Sequence, residues 1–443
     1  MTEIAADLIL TGRYLLTMDR ERPLIERGGV AIGGDTILAV DSADRLLARF
    51  PGAQVIAEPH GLIMPGLVNV HTHAAMSLFR GLADDLPLMR WLNDYIFPVE
   101  ATLTGEIVHL GSQLSICEMI KSGTTSFCDM YLFAGEVARA AEEAGIRAWI
   151  GEVLYDFPSP NYGALENGFA YTKDLLARYR RHPLVTVTVD PHAVYTCSPD
   201  LLTRLGTMAA EEEALYVIHL SENEDEVRTC RERYGRTPVE HLEALGLLGP
   251  RVVADHCVVL TAEEIALLAE RGVKVAHCPE SNLKLASGIA PVVRMLEAGI
   301  CVGLGTDGSS SNNDVDLFGE MNTAAKIHKV EQMDPTVMNA ETTLHTATLG
   351  GAGVLGAGGL IGSIEPGKKA DCIVLDLDQP HLTPLYHPTS HLVYAARGSD
   401  VIHSVINGRL VMRNRRLLTL DEPAILARAA EIGAGFRRGR DGG

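Results

Sequence analysis

The sequence predicts an α/β fold: a (β/α)8 barrel of the TIM type with a small β-sandwich domain built from both termini. Three observations carry this. Eight short apolar runs alternate with helical patterns through the middle of the chain, both ends read instead as hairpins, and ionisable side chains gather where the eight runs stop. Strand and helix signals in strict alternation mark repeated β-α units around a parallel sheet.

The elements follow in chain order. Residues 1–58 alternate apolar runs with turn residues, in Asp7-Leu-Ile-Leu-Thr-Gly12, Gly28-Gly-Val-Ala-Ile-Gly-Gly-Asp35 and Thr36-Ile-Leu-Ala-Val40, the pattern of a small sheet of hairpins. The same texture returns in residues 363–443, in Gly367-Lys-Lys-Ala-Asp-Cys-Ile-Val-Leu-Asp376 and in Val401-Ile-His-Ser-Val-Ile-Asn-Gly-Arg-Leu-Val411. There Asn407-Gly408 is a strong two-residue hairpin turn, because both positions must accept a positive φ. The two ends are expected to form one composite domain.

Residues 59–362 carry the barrel. Its eight runs are Leu62–Val70, Thr124–Met130, Arg147–Leu154, Val185–Asp190, Leu215–Leu220, Val252–His256, Val273–His277 and Ile300–Gly305. Helical patterns such as Val137–Gly145, Leu201–Ala214 and Thr261–Gly272 lie between them. A count of eight suits a closed barrel better than an open doubly wound sheet, although the insertion after the first run is long. No Gly-x-Gly-x-x-Gly follows the first strand and no Walker lysine motif occurs, so dinucleotide and P-loop readings fall away.

Composition agrees. At 443 residues the chain has room for about three ordinary domains or one barrel with additions. Hydrophobic residues at 47%, charged residues at 21% and a mean hydropathy of +0.10 allow a large core and exclude a disordered chain. The balance of 38 basic and 57 acidic residues, 38 − 57 = −19, disfavours nucleic acid and anionic membrane surfaces. The eight cysteines stand singly with no Cys-x-x-Cys, as expected of reduced thiols in a cytoplasmic protein. The start, Met-Thr-Glu-Ile-Ala-Ala-Asp7, has no basic n-region or apolar core, and no apolar run is long enough to span a bilayer. Secretion and membrane insertion are not expected.

The chemistry sits at the strand ends. The first run ends in His71-Thr72-His73, and residues i and i+2 of a strand point the same way, so both imidazoles can grip one ion. The fifth ends in His219-Leu-Ser-Glu222, the sixth in Asp255-His256-Cys257 and the eighth in Thr306-Asp307-Gly308. A lone His-x-His is commonly incidental, and Thr-Asp-Gly after a strand is commonly a turn. Their joint occurrence at one end of successive strands, the end where barrels place their sites, points to a metal. Imidazoles with a carboxylate suit zinc, with iron as the alternative.

Leu67-Val-Asn-Val-His-Thr-His73, His219-Leu-Ser-Glu222, Asp255-His-Cys257 and Leu304-Gly-Thr-Asp307, in this order within a barrel flanked by a split β-domain, resemble the amidohydrolase superfamily. Gly81-Leu-Ala-Asp-Asp-Leu-Pro-Leu-Met-Arg-Trp91, Phe97-Pro-Val-Glu100 and Pro279-Glu-Ser-Asn-Leu-Lys-Leu285 resemble its 5-methylthioadenosine/S-adenosylhomocysteine deaminases. The resemblance implies hydrolytic loss of ammonia from the adenine ring of a 5′-modified adenosine. Related guanine, cytosine or triazine aminohydrolases are the alternative, and a non-catalytic amidohydrolase scaffold is a remote one, since such scaffolds generally lose metal ligands.

Roles then follow. His71, His73, His219 and Asp307 would hold one divalent ion, zinc or else iron(II); binuclear relatives add a carboxylated lysine on the fourth strand, and Val185-Thr-Val-Thr-Val-Asp-Pro-His192 has none. His277-Cys-Pro-Glu280 has the wrong order for a cytidine-deaminase zinc site. Asp307 can also accept a proton from the attacking water. Glu222, on the turn leaving the strand, would protonate ring N1, and His256 would hydrogen-bond the attacking oxygen. The plain alternatives are a solvated carboxylate in Glu222-Asn-Glu-Asp-Glu226 and, for His256, a core histidine or a further ligand.

In the resembling family the residue matching Glu100 binds ribose hydroxyls, that matching His192 contacts the purine and that matching Trp91 lines the 5′ pocket. Trp91 as core aromatic and Glu100 as surface carboxylate remain open beside these. Thr196-Cys-Ser198 after His192 reads equally as a helix start, with Ser198 capping and Pro199 in the first turn. Some family members carry an arginine after the third strand that pairs with the homocysteine carboxylate; Gly151 to Lys173 has none, which favours methylthioadenosine or adenosine. The expected partner is a small-molecule purine nucleoside, with no nucleic acid and no membrane, and the expected assembly is a homo-oligomer, dimer or tetramer.

Overall fold

A computed structural model describes residues 5–86 and 88–441. Pro87 of the Gly81–Trp91 stretch, and residues 1–4 and 442–443 of the two terminal segments, lie outside the described residues.

The barrel strands are Leu67–Thr72, Thr124–Tyr131, Arg147–Leu154, Val185–Val187 continued by Asp190–Pro191, Tyr216–Leu220, Val252–His256, Lys274–His277 and Val302–Leu304. All their pairings are parallel. The fourth joins the fifth only through single bridges, Val189 to Tyr216 and Ala193 to His219. The ring closes where the Asp307 amide donates to the His71 carbonyl at 2.9 Å and Asn69 Nδ2 donates to Thr306 Oγ1 at 2.8 Å. This is the expected (β/α)8 barrel.

Its helices begin and end where their capping residues stand. Thr261 and Glu264 form a capping box at the start of Ala262–Arg271, and Gly272 ends that helix at φ 71°. Ser198 caps Pro199–Glu211 by accepting the Leu201 amide. Among the described residues no helix is long and apolar enough to cross a membrane.

Both ends of the chain contribute to one nine-stranded sheet. They meet at Gln54–Pro65, which runs parallel to Leu8–Leu16 and antiparallel to Cys372–Asp376. Leu10, Val30, Ile32, Ile63, Val374 and Val405 bury one face, while Ile9, Ala31, Leu46 and Phe50 pack on another side. Val401–Ile406 and Arg409–Arg413 pair through the two-residue turn at Asn407 (φ 49°) and Gly408 (φ 77°), as the sequence requires. Buried Arg147, at the base of the third barrel strand, donates to both carboxylate oxygens of Asp371 at 2.9 and 3.2 Å and ties the barrel to this sheet.

Two expectations are corrected. The run Leu62–Val70 is not one strand: its first part pairs in the composite sheet, and the barrel strand starts at Leu67. Gly66 makes the break, because a Cβ there would lie 2.0 Å from Thr125 Oγ1. In consequence residue 58 falls inside a strand, and the sheet's share of the chain extends to Pro65. The C-terminal helix Glu422–Asp441 packs on the barrel helix Gly105–Lys121.

Candidate active site

The barrel brings the strand-end residues together. His71, His73 and His219 offer nitrogen atoms within 4.8 Å of one another, as do donor atoms of His71, His256 and Asp307. All except His73 are buried.

Hydrogen bonds to backbone set the tautomers. His73 Nδ1 lies 2.5 Å from Met130 O and His219 Nδ1 lies 2.8 Å from His192 O. A carbonyl only accepts, so each Nδ1 carries the proton and each Nε2 presents a lone pair. Those two Nε2 atoms are 3.4 Å apart. Neither nitrogen of His71 has a hydrogen-bond partner, although Nε2 lies 3.6 Å from Asp307 Oδ1. Converging lone pairs beside a carboxylate are a donor set for a cation, and the residues present fit a divalent metal.

Asp307 is held from the other side. Its Oδ2 accepts Ser281 Oγ at 2.7 Å and Ser311 Oγ at 3.0 Å, leaving Oδ1 toward His73 Nε2 at 3.2 Å. His256 Nδ1 faces Asn282 Oδ1 at 2.9 Å, so its Nε2 is an acceptor, and burial lowers its affinity for a second proton. Ser221 (φ 53°), His256 (φ 69°), Cys257 (φ 49°) and Asp307 (φ 61°) all lie in the left-handed region. Such residues cost on the order of 1–3 kcal/mol each and gather where a site requires them.

Glu222 is 6% exposed and lines the same cavity as the imidazoles. Burial, with the Asp307 charge adding to it, pushes its carboxyl up to about 8. The acidic run containing it is split: Glu224 and Asp225 are exposed, while Glu222 and Glu226 are buried.

The cavity extends past the imidazoles. The His73 ring lies 5.9 Å from Tyr131, whose hydroxyl donates to Glu100 Oε1 at 2.7 Å. Burial raises the Glu100 carboxyl, which lines the cavity and is not a surface group. Trp91, 5% exposed, belongs both to the core and to the cavity wall, beside Leu92, Phe97 and Tyr155. His192 Nδ1 sits 2.8 Å from Thr196 Oγ1, whose proton goes to Ala193 O, so Nε2 is the bare nitrogen; burial and the nearby imidazoles push its pKa down to about 3. Asn161, Tyr162 and Gly163 do not line this cavity: Asn161 Nδ2 donates to Glu152 and buried Tyr162 to Val153 O.

Sequence reasoning gave no role to Asp255 or Glu226. Asp255 is fully buried with its Oδ2 3.1 Å from His71 Nδ1. Its place immediately before His256 was the available signal. Glu226, four residues after Glu222, accepts the Glu222 amide at 2.7 Å.

A barrel with converging imidazoles and an aspartate at its C-terminal face is the architecture of an amidohydrolase, and the Amidohydrolase family pattern matches residues 62–411. Residues 28–53 match the bacterial imidazolonepropionase-like composite domain. The chain is 56% identical over 427 residues to the 5-methylthioadenosine/S-adenosylhomocysteine deaminase of Syntrophobacter fumaroxidans, covering 96% of this chain and 98% of that one. It is 51% identical to the corresponding deaminase 1 of Syntrophus aciditrophicus, covering 96% of each. An adenosine deaminase of Xanthomonas campestris solved with bound zinc is 39% identical, with a TM-score of 0.96 over 98% of this chain and 99% of that one. The chain belongs to the amidohydrolase family and, within it, to the 5-methylthioadenosine/S-adenosylhomocysteine deaminases.

Proposed function

We propose that the chain hydrolyses the C6 amino group of 5′-modified adenosines, giving the inosine analogue and ammonia. The observation that carries this reading is a buried carboxyl, Glu222, lining one cavity with three of the expected metal donors, His73, His219 and Asp307. The high identity to the named deaminases supports the substrate class.

His71, His73, His219 and Asp307 would hold one zinc ion. The chemistry such an ion supplies is to make water acidic enough to attack at neutral pH. A new C6–O bond forms and the C6–N bond breaks. Of the protons of water, one leaves early and is accepted by the bare Nε2 of His256 or by Asp307 beside it. Once protonated, His256 can donate to the developing oxyanion, which is the donor role expected of it. Glu222 gives its proton to ring N1, the proton first taken from water passes to the departing amine, which leaves as ammonia, and the remaining hydroxyl proton returns to Glu222 as C6 becomes a carbonyl.

Beyond the ring, Glu100 would accept the ribose hydroxyls and His192 would contact the purine. Trp91, Leu92, Phe97 and Tyr155 would surround the 5′ group with apolar surface. No lysine or arginine stands among the described lining residues, which favours a neutral 5′ substituent. All eight cysteines are free, in keeping with a cytoplasmic location.

Steady-state deamination across adenosine, its 5′-alkylthio derivatives and free bases tests the proposal. Turnover of 5′-methylthioadenosine is expected. Good turnover of a free base with none of any 5′-modified adenosine would overturn it.

A further inference from the structure

One peptide plane stands behind Glu222. The peptide joining Ser221 to Glu222 has its carbonyl oxygen accepting the amides of Val258 at 3.0 Å and Val259 at 2.9 Å. Its N–H donates to Glu226 Oε2 at 2.7 Å. The valines follow directly on His256 and Cys257, and the Cys257 amide donates to Leu220 O at 3.1 Å. The plane that aims Glu222 is thus gripped at one end by the segment carrying His256 and at the other by a single side chain.

That grip works against strain. Ser221 lies at φ 53°, a left-handed conformation that costs any residue with a Cβ free energy. A plane in this state relaxes unless both of its polar ends are held. Glu226 is itself fixed: Asn223 accepts its amide at 2.9 Å, and the side chain is only 3% exposed. Its Oε1 has no hydrogen-bond partner. Burial pushes this carboxyl up to about 8 against the pull of the Glu222 and Ser221 amides. Helix capping does not account for such a group, because Asn223 already caps Glu224–Tyr234 and Glu226 accepts from the amide of Glu222, outside the helix. A buried, half-satisfied carboxyl is costly to keep.

We propose that Glu226 is a positioning residue for the deamination, fixing the Ser221–Glu222 peptide so that the Glu222 carboxyl meets the substrate ring. The proposal rests on Glu222 being the proton donor. Rotation of this plane carries the carboxyl off line, and a misplacement of about 1 Å costs on the order of 10²-fold in rate.

The test compares Glu226→Ala, Glu226→Gln and Glu222→Gln in the zinc-loaded enzyme, reading kcat, KM, zinc content and melting temperature. Glu226→Ala is expected to lower kcat about 10²-fold with KM within about threefold and zinc retained. Glu226→Gln keeps an acceptor oxygen and is expected to restore most of that rate. Wild-type kcat in Glu226→Ala beside an inactive Glu222→Gln would overturn the positioning role and leave the donor role standing. Loss of zinc and of the folded state in Glu226→Ala, unrelieved in Glu226→Gln, would make Glu226 structural and would also overturn it. Full turnover by Glu222→Gln would instead remove the donor reading itself, and the positioning role with it.

Discussion

The Nε2 atoms of His73 and His219 face each other at 3.4 Å while each ring donates its Nδ1 proton to a backbone carbonyl. Two lone pairs converging at that distance are placed to share one cation. Metal is therefore expected to stabilise the fold as well as to enable turnover, since a ligand bound only by the folded state raises its stability. Elemental analysis of purified protein should find one zinc per chain. Chelation should abolish activity and lower the melting temperature, and His73→Ala should do both. Two equivalents of tightly held metal would contradict the single-ion site.

Asp255 extends the same logic outward. Its Oδ2 lies 3.1 Å from His71 Nδ1, and no other polar group hydrogen-bonds either of its oxygens or that nitrogen. An imidazole whose outer nitrogen faces a carboxylate is oriented and made a better ligand, and removing such a partner typically costs 10- to 100-fold in metal affinity. Asp255→Asn should weaken zinc binding by about that factor, measured by competition with a chromogenic chelator. Unchanged affinity would show that His71 is oriented by packing alone.

The parts of this site legible in the sequence are those that strand geometry dictates. His71 and His73 share a side because of the two-residue period, and His219, His256 and Asp307 each end an apolar run. Gly66 carried its signal too, in the Pro65-Gly66 dipeptide, but the reason for the break is contact with Thr125, distant in the chain. Glu226 was illegible for a different reason. In Glu222-Asn-Glu-Asp-Glu226 four of the five residues are acidic, which reads as a solvated face, and it is the helix start after Asn223 that returns the Glu226 side chain to the Glu222 amide. The place of Tyr155 in the cavity wall likewise depends on how a loop folds over a strand end.

The pH dependence follows from Glu222. Burial raises its pKa from 4.5 to about 8, so the donor form prevails below about 8 and is lost above it. The rate should fall as pH rises through about 8, and this alkaline limb should be absent from the residual rate of Glu222→Gln, which should retain zinc while losing most turnover. The same shift has a consequence for stability. A carboxyl whose folded pKa is raised keeps its proton longer in the folded state, so its contribution to stability declines as pH rises from about 4.5 to about 8. Glu222→Gln should flatten that decline in melting temperature. An alkaline limb persisting in Glu222→Gln would assign it to another group.

Discrimination at the 5′ end should be by charge. The described wall beyond Glu100 is formed by Trp91, Leu92, Phe97 and Tyr155, without a lysine or arginine. A methylthio group buries apolar surface there, at about 25 cal/mol per Å2. A homocysteinyl tail brings an ammonium and a carboxylate, and a 5′-phosphate brings about two negative charges, none of which finds a buried partner. Lys284, near the cavity rim, is already engaged by Asp84 at 2.6 Å and by Ser310 O at 3.3 Å. The order of kcat/KM should therefore be 5′-methylthioadenosine first, S-adenosylhomocysteine at least about tenfold lower and adenosine 5′-phosphate lowest. Glu100→Gln should raise KM for all ribosides while leaving their order intact, because the ribose contact is common to them. S-Adenosylhomocysteine equal to or better than methylthioadenosine would mean that a cation from outside the described wall reaches the carboxylate.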